Sequence, residues 1–446
     1  MEQKIKTFLR NRMSRSQGFF YLVFRFLYLF AKYIKILVST PQSFYEIWVA
    51  KFLARRFFFL YWPLGKIFKW LDFRFLINIS PGTGHTIPEF DYFFRLIYTG
   101  KLDPSKKYIA ILRNSYYFRD FLKLYGKNLY FFSTNTLLYD LLLPFFMKDR
   151  RICIDMGLAR IKWHFPPDAF DGRWTPNRPY VFQYSVFLGM QMFKNYFALK
   201  RKSLDYFPLL NISVSPADLL KELEVENDRF CLVQIKEVVM NATAMATDPK
   251  TLLPMLDYLR ENGYKFVFAG REKMPVEFSR FGMINYSESP LANFKNDILL
   301  FKSCHLAIVN GSGVSNFAET LNKPYLFFNF WHIALCPVSP QSVFAPSLVK
   351  RKGGGLLSFK EQFELYLQTT SEQEKFPADQ FEPVNVTADE MLRAAQELMQ
   401  ICKKRTPLNR LQEKFMVLDE GRSWLRESLS RPSSYFLEKH TELLES

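Results

Sequence analysis

The run at residues 292–329, ANFKNDILLFKSCHLAIVNGSGVSNFAETLNKPYLFFN, limits what this chain can fold into more than any other stretch. Its pattern predicts a helix to about Ser303, a strand at 305–309, a turn at Asn310-Gly311-Ser312-Gly313, a helix at 314–321 and a strand at 325–328. Short, fully apolar strands alternating with helices belong to parallel sheets, whose strands are covered on both faces and joined by helical crossovers. The turn has the parts of a phosphate cradle. Gly311 and Gly313 allow the backbone close to an anion, Ser312 and Ser315 offer hydroxyls beside Asn316, and the following helix starts with unpaired N–H groups. Glu319 lies one turn further on, where a carboxylate either accepts from a ribose hydroxyl or simply faces solvent.

The same alternation recurs on both sides of this run. FCLVQIK at 230–236 and YKFVFAG at 264–270 read as buried strands, separated by a helix from about Pro249 that ends at Gly263. Earlier, FLINI at 75–79, YIAIL at 108–112, NLYFF at 128–132 and RICIDMG at 151–157 read as strands, with a helix at 117–126. A glycine-containing loop, Ser80 to Pro88, follows the first of these and precedes a helix from about Glu89. Gly82, Thr83 and Gly84 form a tight turn, and His85 stands at its end as a base or as a helix cap. At 446 residues the chain exceeds one ordinary core. The fold expected is therefore α/β: two Rossmann-like domains facing across a cleft, an acceptor half at 74–225 and a donor half at 226–375. A helical tail at 376–446 packs back over them, and 1–73 stands apart.

Charge and aromaticity set that first segment apart. The formal charge is +17, and residues 1–75 hold 14 Lys and Arg against 3 acids. The stretches SQGFFYLVFRFLYLFAKYIKILV and IWVAKFLARRFFFLYWPLGKIFKWL are too often interrupted by cations to span a bilayer. Their mixture of Phe, Tyr, Trp, Lys and Arg fits amphipathic helices lying on an anionic membrane surface, and packing on the protein itself is the alternative. The cleft is thereby placed at the cytoplasmic face of the inner membrane, held peripherally. Nucleic acid is excluded as a partner, since no zinc-finger spacing, RNA-recognition signature or basic zipper is present. Five isolated cysteines with no C-x-x-C pair point to a reducing compartment. No metal ligand set and no D-x-D occur, so neither a metal nor another cofactor is expected.

The spacing of Asp297, Ala307-Ile308, Gly311-Ser312-Gly313, Ser315, Glu319, Leu321 and Pro324 resembles the donor half of GT-B glycosyltransferases, and Pro81-Gly82-Thr83-Gly84-His85 with Pro88 resembles the acceptor loop of that fold. More narrowly, 230–360 resembles a glycosyltransferase family of bacterial capsule and O-antigen clusters, through Lys236-Glu237, Ala269-Gly270-Arg271, Lys350 and Leu356 to Glu361. Lys236 stands where that family has arginine, and Arg271 where it has an acid. The resemblance implies transfer of a sugar from a nucleotide sugar to a lipid-linked glycan. Lys236 or Arg271 would then neutralise the diphosphate, Tyr286 would border the base pocket, and His85, with Glu89 and Asp91 as rivals, would act as base. A nucleotide-sugar epimerase of the same architecture and a non-catalytic scaffold of a polysaccharide assembly complex are the alternatives.

Overall fold

Every residue of the strands Phe230–Gln234, Leu306–Asn310, Tyr325–Phe328 and Ser342–Ala345 is buried, as a parallel sheet with two covered faces requires. The structure is a computed structural model and describes residues 58–77, 83–113, 129–134, 153–155, 195–203, 205–206, 214–236, 246–270, 272–311, 313, 315–333, 336–337, 339–369, 376–418, 425 and 428–445. The stretches at 1–57 and the helix expected at 117–126 lie outside them, as do Gly82, Arg271 and Ser312.

Contacts divide the chain into two units, whose segments interleave rather than follow one another. One unit contains four parallel strands: β1 (Phe73–Ile77), β2 (Lys107–Arg113), β3 (Leu129–Thr134) and β4 (Cys153–Asp155), in the order β3-β2-β1-β4. The Phe58–Trp70 helix packs on β1, with Phe68 set edge-on to Phe75 at 4.9 Å between ring centres.

The other unit is built on a seven-stranded parallel sheet among the described residues, in the order β13-β10-β9-β8-β5-β6-β7. Its strands are β5 (Phe230–Gln234), β6 (Lys265–Phe268), β7 (Ile284–Asn285), β8 (Leu306–Asn310), β9 (Tyr325–Phe328), β10 (Ser342–Ala345) and β13 (Arg431–Pro432). A separate antiparallel pair, β11 (Leu348–Arg351) and β12 (Phe381–Val384), lies between β10 and β13 in sequence. The crossover helices form where the apolar periodicity places them. Leu253–Glu261 buries Met255, Leu256 and Leu259, and ends before Gly263 at φ 81°. Phe294–Ser303 opens on Asn293, whose side chain accepts from the amide of Asn296. The tail helix Ala388–Lys403 opens on a capping box between Thr387 and Glu390 and packs against β10 and against Leu253–Glu261.

The helix expected from Glu89 begins six residues earlier, as Thr83–Tyr98. Pro88 lies inside it, where the missing N–H forfeits one bond to the carbonyl of Gly84 near the helix start and does not break the helix. This helix belongs by its contacts to the seven-stranded unit, where it packs on the helix Ser315–Thr320. Residues 195–202, within a stretch that has no clear sequence periodicity, are helical in the same unit.

Candidate functional site

The seven-stranded sheet reverses direction between β5 and β8. From β5 the chain moves outward through β6 to β7, then returns to the far side of β5 with β8 and moves outward again through β9 and β10. At such a reversal the segments leaving two adjacent strands part to opposite faces, and a crevice opens at the carboxyl ends of the strands. Here that edge carries Gln234 at the end of β5 with Lys236 beyond it, and Asn310 at the end of β8 with Gly311 and Gly313 beyond it.

Buried amides and one hydroxyl tie this edge together. Asn310 is 0 % exposed and donates from Nδ2 to Thr247 Oγ1 at 3.4 Å; Asn329 donates to the same oxygen at 2.9 Å. Thr247 is anchored in turn by its amide to the carbonyl of Lys236 at 2.9 Å. Asn329, in left-handed backbone at φ 49° just after β9, accepts from the amide of Val386 at 2.9 Å. The exits of β5, β8 and β9 are thus held by hydrogen bonds buried from water, where they are strongest. In front of this layer Gly311, Gly313, Ser315, Asn316 and Lys236 each keep partial exposure. A further close approach lies next to β5. Gly270, after β6, adopts φ 121°, and a Cβ there would stand 3.0 Å from Gln234 Cγ and 3.2 Å from Glu272 Oε2. Only glycine takes that conformation without strain.

Several of the residues singled out in the sequence have other roles in the structure. The Glu319 side chain is 13 % exposed and paired. Its carboxylate accepts from Lys200 Nζ at 3.0 Å and from the Tyr325 hydroxyl at 3.3 Å, and Lys200 also reaches the Glu319 carbonyl at 3.2 Å. Burial lowers the pKa of Lys200, with the Glu319 charge opposing, and raises that of Tyr325. Glu319 is therefore a strut between helices. Asp91 is no candidate base: at 0 % exposed it holds Arg95 Nε at 2.7 Å and accepts from the Tyr196 hydroxyl at 2.7 Å. Glu89, 1 % exposed, is buried on another side of the same helix and lacks the open face that an acceptor hydroxyl would need. Tyr286 is a buried post, not a wall of a base pocket. Its hydroxyl meets Asp297 Oδ1 at 3.0 Å and the Asn293 amide at 3.2 Å, and burial, with the Asp297 charge adding, raises its pKa.

Thr83, Gly84 and His85 open the Thr83–Tyr98 helix rather than lying in a loop. That helix shares a unit with the Gly311–Gly313 turn and packs on the Ser315–Thr320 helix that follows the turn. The latter spans six residues, two fewer than the eight expected. Lys200, Tyr196 and Arg95 were not identified from the sequence. Their one signal is the four-residue spacing of Tyr196 and Lys200 and of Asp91 and Arg95, which brings each pair to one helix face. Among the described residues no cluster of three or more His, Cys, Asp or Glu is arranged to hold a metal ion.

No protein-family model matches the chain, and no curated protein does. Its fold is similar to several solved structures. ADP-heptose LPS heptosyltransferase II of E. coli aligns with 12 % identity and a TM-score of 0.42, over 74 % of this chain and 99 % of that one. A family 9 glycosyl transferase of Veillonella parvula aligns with 11 % identity and a TM-score of 0.39, over 74 % and 98 %. UDP-GlcNAc 2-epimerase of Methanocaldococcus jannaschii aligns with 10 % identity and a TM-score of 0.31, over 74 % and 99 %.

Proposed function

We propose that the reversal between β5 and β8 binds the diphosphate of a nucleotide sugar, and that the protein transfers that sugar to a lipid-linked glycan in bacterial surface-polysaccharide synthesis. The observation that carries this reading is positional. The glycine-serine turn leaves β8 where the strand order of the seven-stranded sheet reverses, and Gly311, Gly313 and Ser315 stay partly open to solvent beside a buried amide layer. Lys236, at the exit of β5 across the same reversal, supplies a cation for the departing diphosphate, and Arg271 is assigned the same task.

In the step proposed, the acceptor hydroxyl oxygen bonds to the anomeric carbon as the bond from that carbon to the diphosphate breaks. The diphosphate leaves with the electron pair, and the hydroxyl proton passes to His85. With Asp91 and Glu89 buried, His85 is the residue we assign as base. Thermal shifts with ADP, UDP, GDP and CDP and their sugar derivatives test the donor site. A ligand at a hundred times its Kd stabilises by about 2.7 kcal/mol. We expect one nucleotide class to do so, and Gly313→Val to abolish the shift. If no nucleotide diphosphate moves the midpoint, the proposal fails. If sugar products form without any acceptor, the epimerase reading replaces it.

A further inference from the structure

Trp331 is 1 % exposed, whereas Trp70, at the end of the Phe58–Trp70 helix, is 83 % exposed. Tryptophan is rarely left so far in water, because its ring is among the largest apolar surfaces a protein has to bury. Trp70 has company: Ile67 is 47 % and Leu71 39 % exposed, and Lys66 and Lys69 are exposed beside them. At about 100° per residue the exposed arc runs, in angular order, through Lys69, Lys66, Trp70, Ile67 and Leu71. Phe68 lies on the opposite side and fills the gap over Phe75. Cations therefore border one flank of the arc and apolar side chains occupy the rest. Under the helix a row of rings runs from Phe68 to Phe73 at 6.3 Å and from Phe73 to Tyr130 at 6.2 Å, with Tyr130 46 % exposed and Lys107 Nζ 5.4 Å from the Phe73 ring centre.

We propose that this face is a membrane-docking surface whose occupant is an anionic lipid bilayer, with Trp70, Ile67 and Leu71 entering the headgroup boundary and Lys66 and Lys69 meeting lipid phosphates. Charge selects this occupant. Over 58–77 and 105–113, the helix and the two strands beside it, there are six Lys and Arg against one acid, Asp72, which is already held by Lys106 at 2.9 Å and Arg74 at 3.9 Å. The preceding 57 residues add 11 Lys and Arg against 2 acids. A large apolar face with lysines at its border and aromatic rings beside it is how a helix lies in an interface. Among the described residues no helix is long and apolar enough to cross a membrane. The face serves a lipid-linked acceptor by bringing the enzyme to its membrane, but it stands on observations separate from the nucleotide site and is tested without nucleotide.

The full-length protein is sedimented with vesicles of phosphatidylcholine alone and of phosphatidylcholine with phosphatidylglycerol, and tryptophan emission is followed with brominated phosphatidylglycerol. We expect binding to the anionic vesicles only, lowered roughly tenfold by Ile67→Ser with Trp70→Ser and several-fold by Lys66→Gln with Lys69→Gln. Trp70→Phe keeps an apolar ring at the site and removes one fluorophore, so it should bind vesicles while losing Trp70's share of the quenching. Since Trp70 packs against almost nothing, these variants should retain the wild-type melting temperature. Failure to bind anionic vesicles, equal binding to both vesicle types, or undiminished quenching in Trp70→Phe overturns the proposal. The last outcome does so even if other segments carry the chain to the vesicles.

Discussion

Replacing Arg95 by Met asks whether the buried Asp91–Arg95 pair is part of the scaffold or part of the chemistry. Both side chains are 0 % exposed and meet at 2.7 Å. Arg95 also donates from Nη1 to the Ser203 carbonyl at 2.6 Å and to Ser203 Oγ at 2.8 Å, which ties the Thr83–Tyr98 helix to the end of helix 195–202. Burial pulls the guanidinium pKa down, but the charge of Asp91 and neighbouring groups outweigh it and the pKa ends above its ordinary value. Arg95→Met leaves the carboxylate of Asp91 with the Tyr196 hydroxyl alone, in a site closed to water. Breaking one side of a buried pair costs about 3–5 kcal/mol, whereas replacing both partners with apolar residues is close to neutral. Arg95→Met should therefore cost about 4 kcal/mol, roughly 10 °C in melting temperature for a unit of this size. The double variant Asp91→Leu with Arg95→Met should recover most of that loss. Urea denaturation of the wild type, both single variants and the double variant gives the coupling directly. If Arg95→Met loses less than about 1 kcal/mol, or the double variant is no better than the worse single one, the strut interpretation is wrong. If Asp91→Asn abolishes turnover with its melting temperature intact, Asp91 is a base after all.

Three shorter predictions follow from other contacts. Gly270→Ala forces a side chain into φ 121° and against Gln234, so denaturation should show a loss of about 1–3 kcal/mol, accompanied by weaker nucleotide binding by calorimetry. Tyr286→Phe deletes the hydroxyl that meets Asp297 and should cost about 1–2 kcal/mol while leaving nucleotide Kd unchanged; a large rise in Kd would restore Tyr286 to the base pocket. Glu390 is 2 % exposed; although burial pushes its carboxyl pKa up, its bonds to His440, Thr387 and Lys439 more than reverse this and hold it at about 2. A depressed carboxyl stabilises the fold above its unfolded value of about 4.3 and loses that contribution as pH falls toward 2. An acid titration of unfolding should therefore lose about 3 kcal/mol between roughly pH 5 and pH 2, and Glu390→Gln should flatten that limb.

The strands of the second half could be read from sequence because each is a short, wholly apolar run whose burial follows from hydrophobicity alone. Tyr325–Phe328 falls where the pattern places it, and Leu306–Asn310 is displaced by a single residue. The mixed α/β architecture with parallel sheets follows from the same runs. Strand order cannot be read this way, because an apolar strand fits any central slot of the sheet equally well. The reversal between β5 and β8, which supplies the site argument, appears only once the register is known.

The polar residues divide along a related line. The exit of β8 at Asn310 and Gly311 is legible because an apolar run that ends in glycines marks where a strand leaves its sheet. The partners of Glu319, Asp91 and Tyr286 are not legible, because a polar side chain on a helix or strand end looks the same in sequence whether it meets a ligand or a distant cation. Lys200 reaches Glu319 from 119 residues away, out of a stretch whose aromatic and proline content hides its helical period. A carboxylate near a glycine-rich turn is therefore informative about ligand binding only after the buried lysines and tyrosines of the fold have been given their partners. In this chain those partners hold the Ser315–Thr320 helix on the Thr83–Tyr98 and 195–202 helices, and Gly311 and Gly313 keep partial exposure beside them.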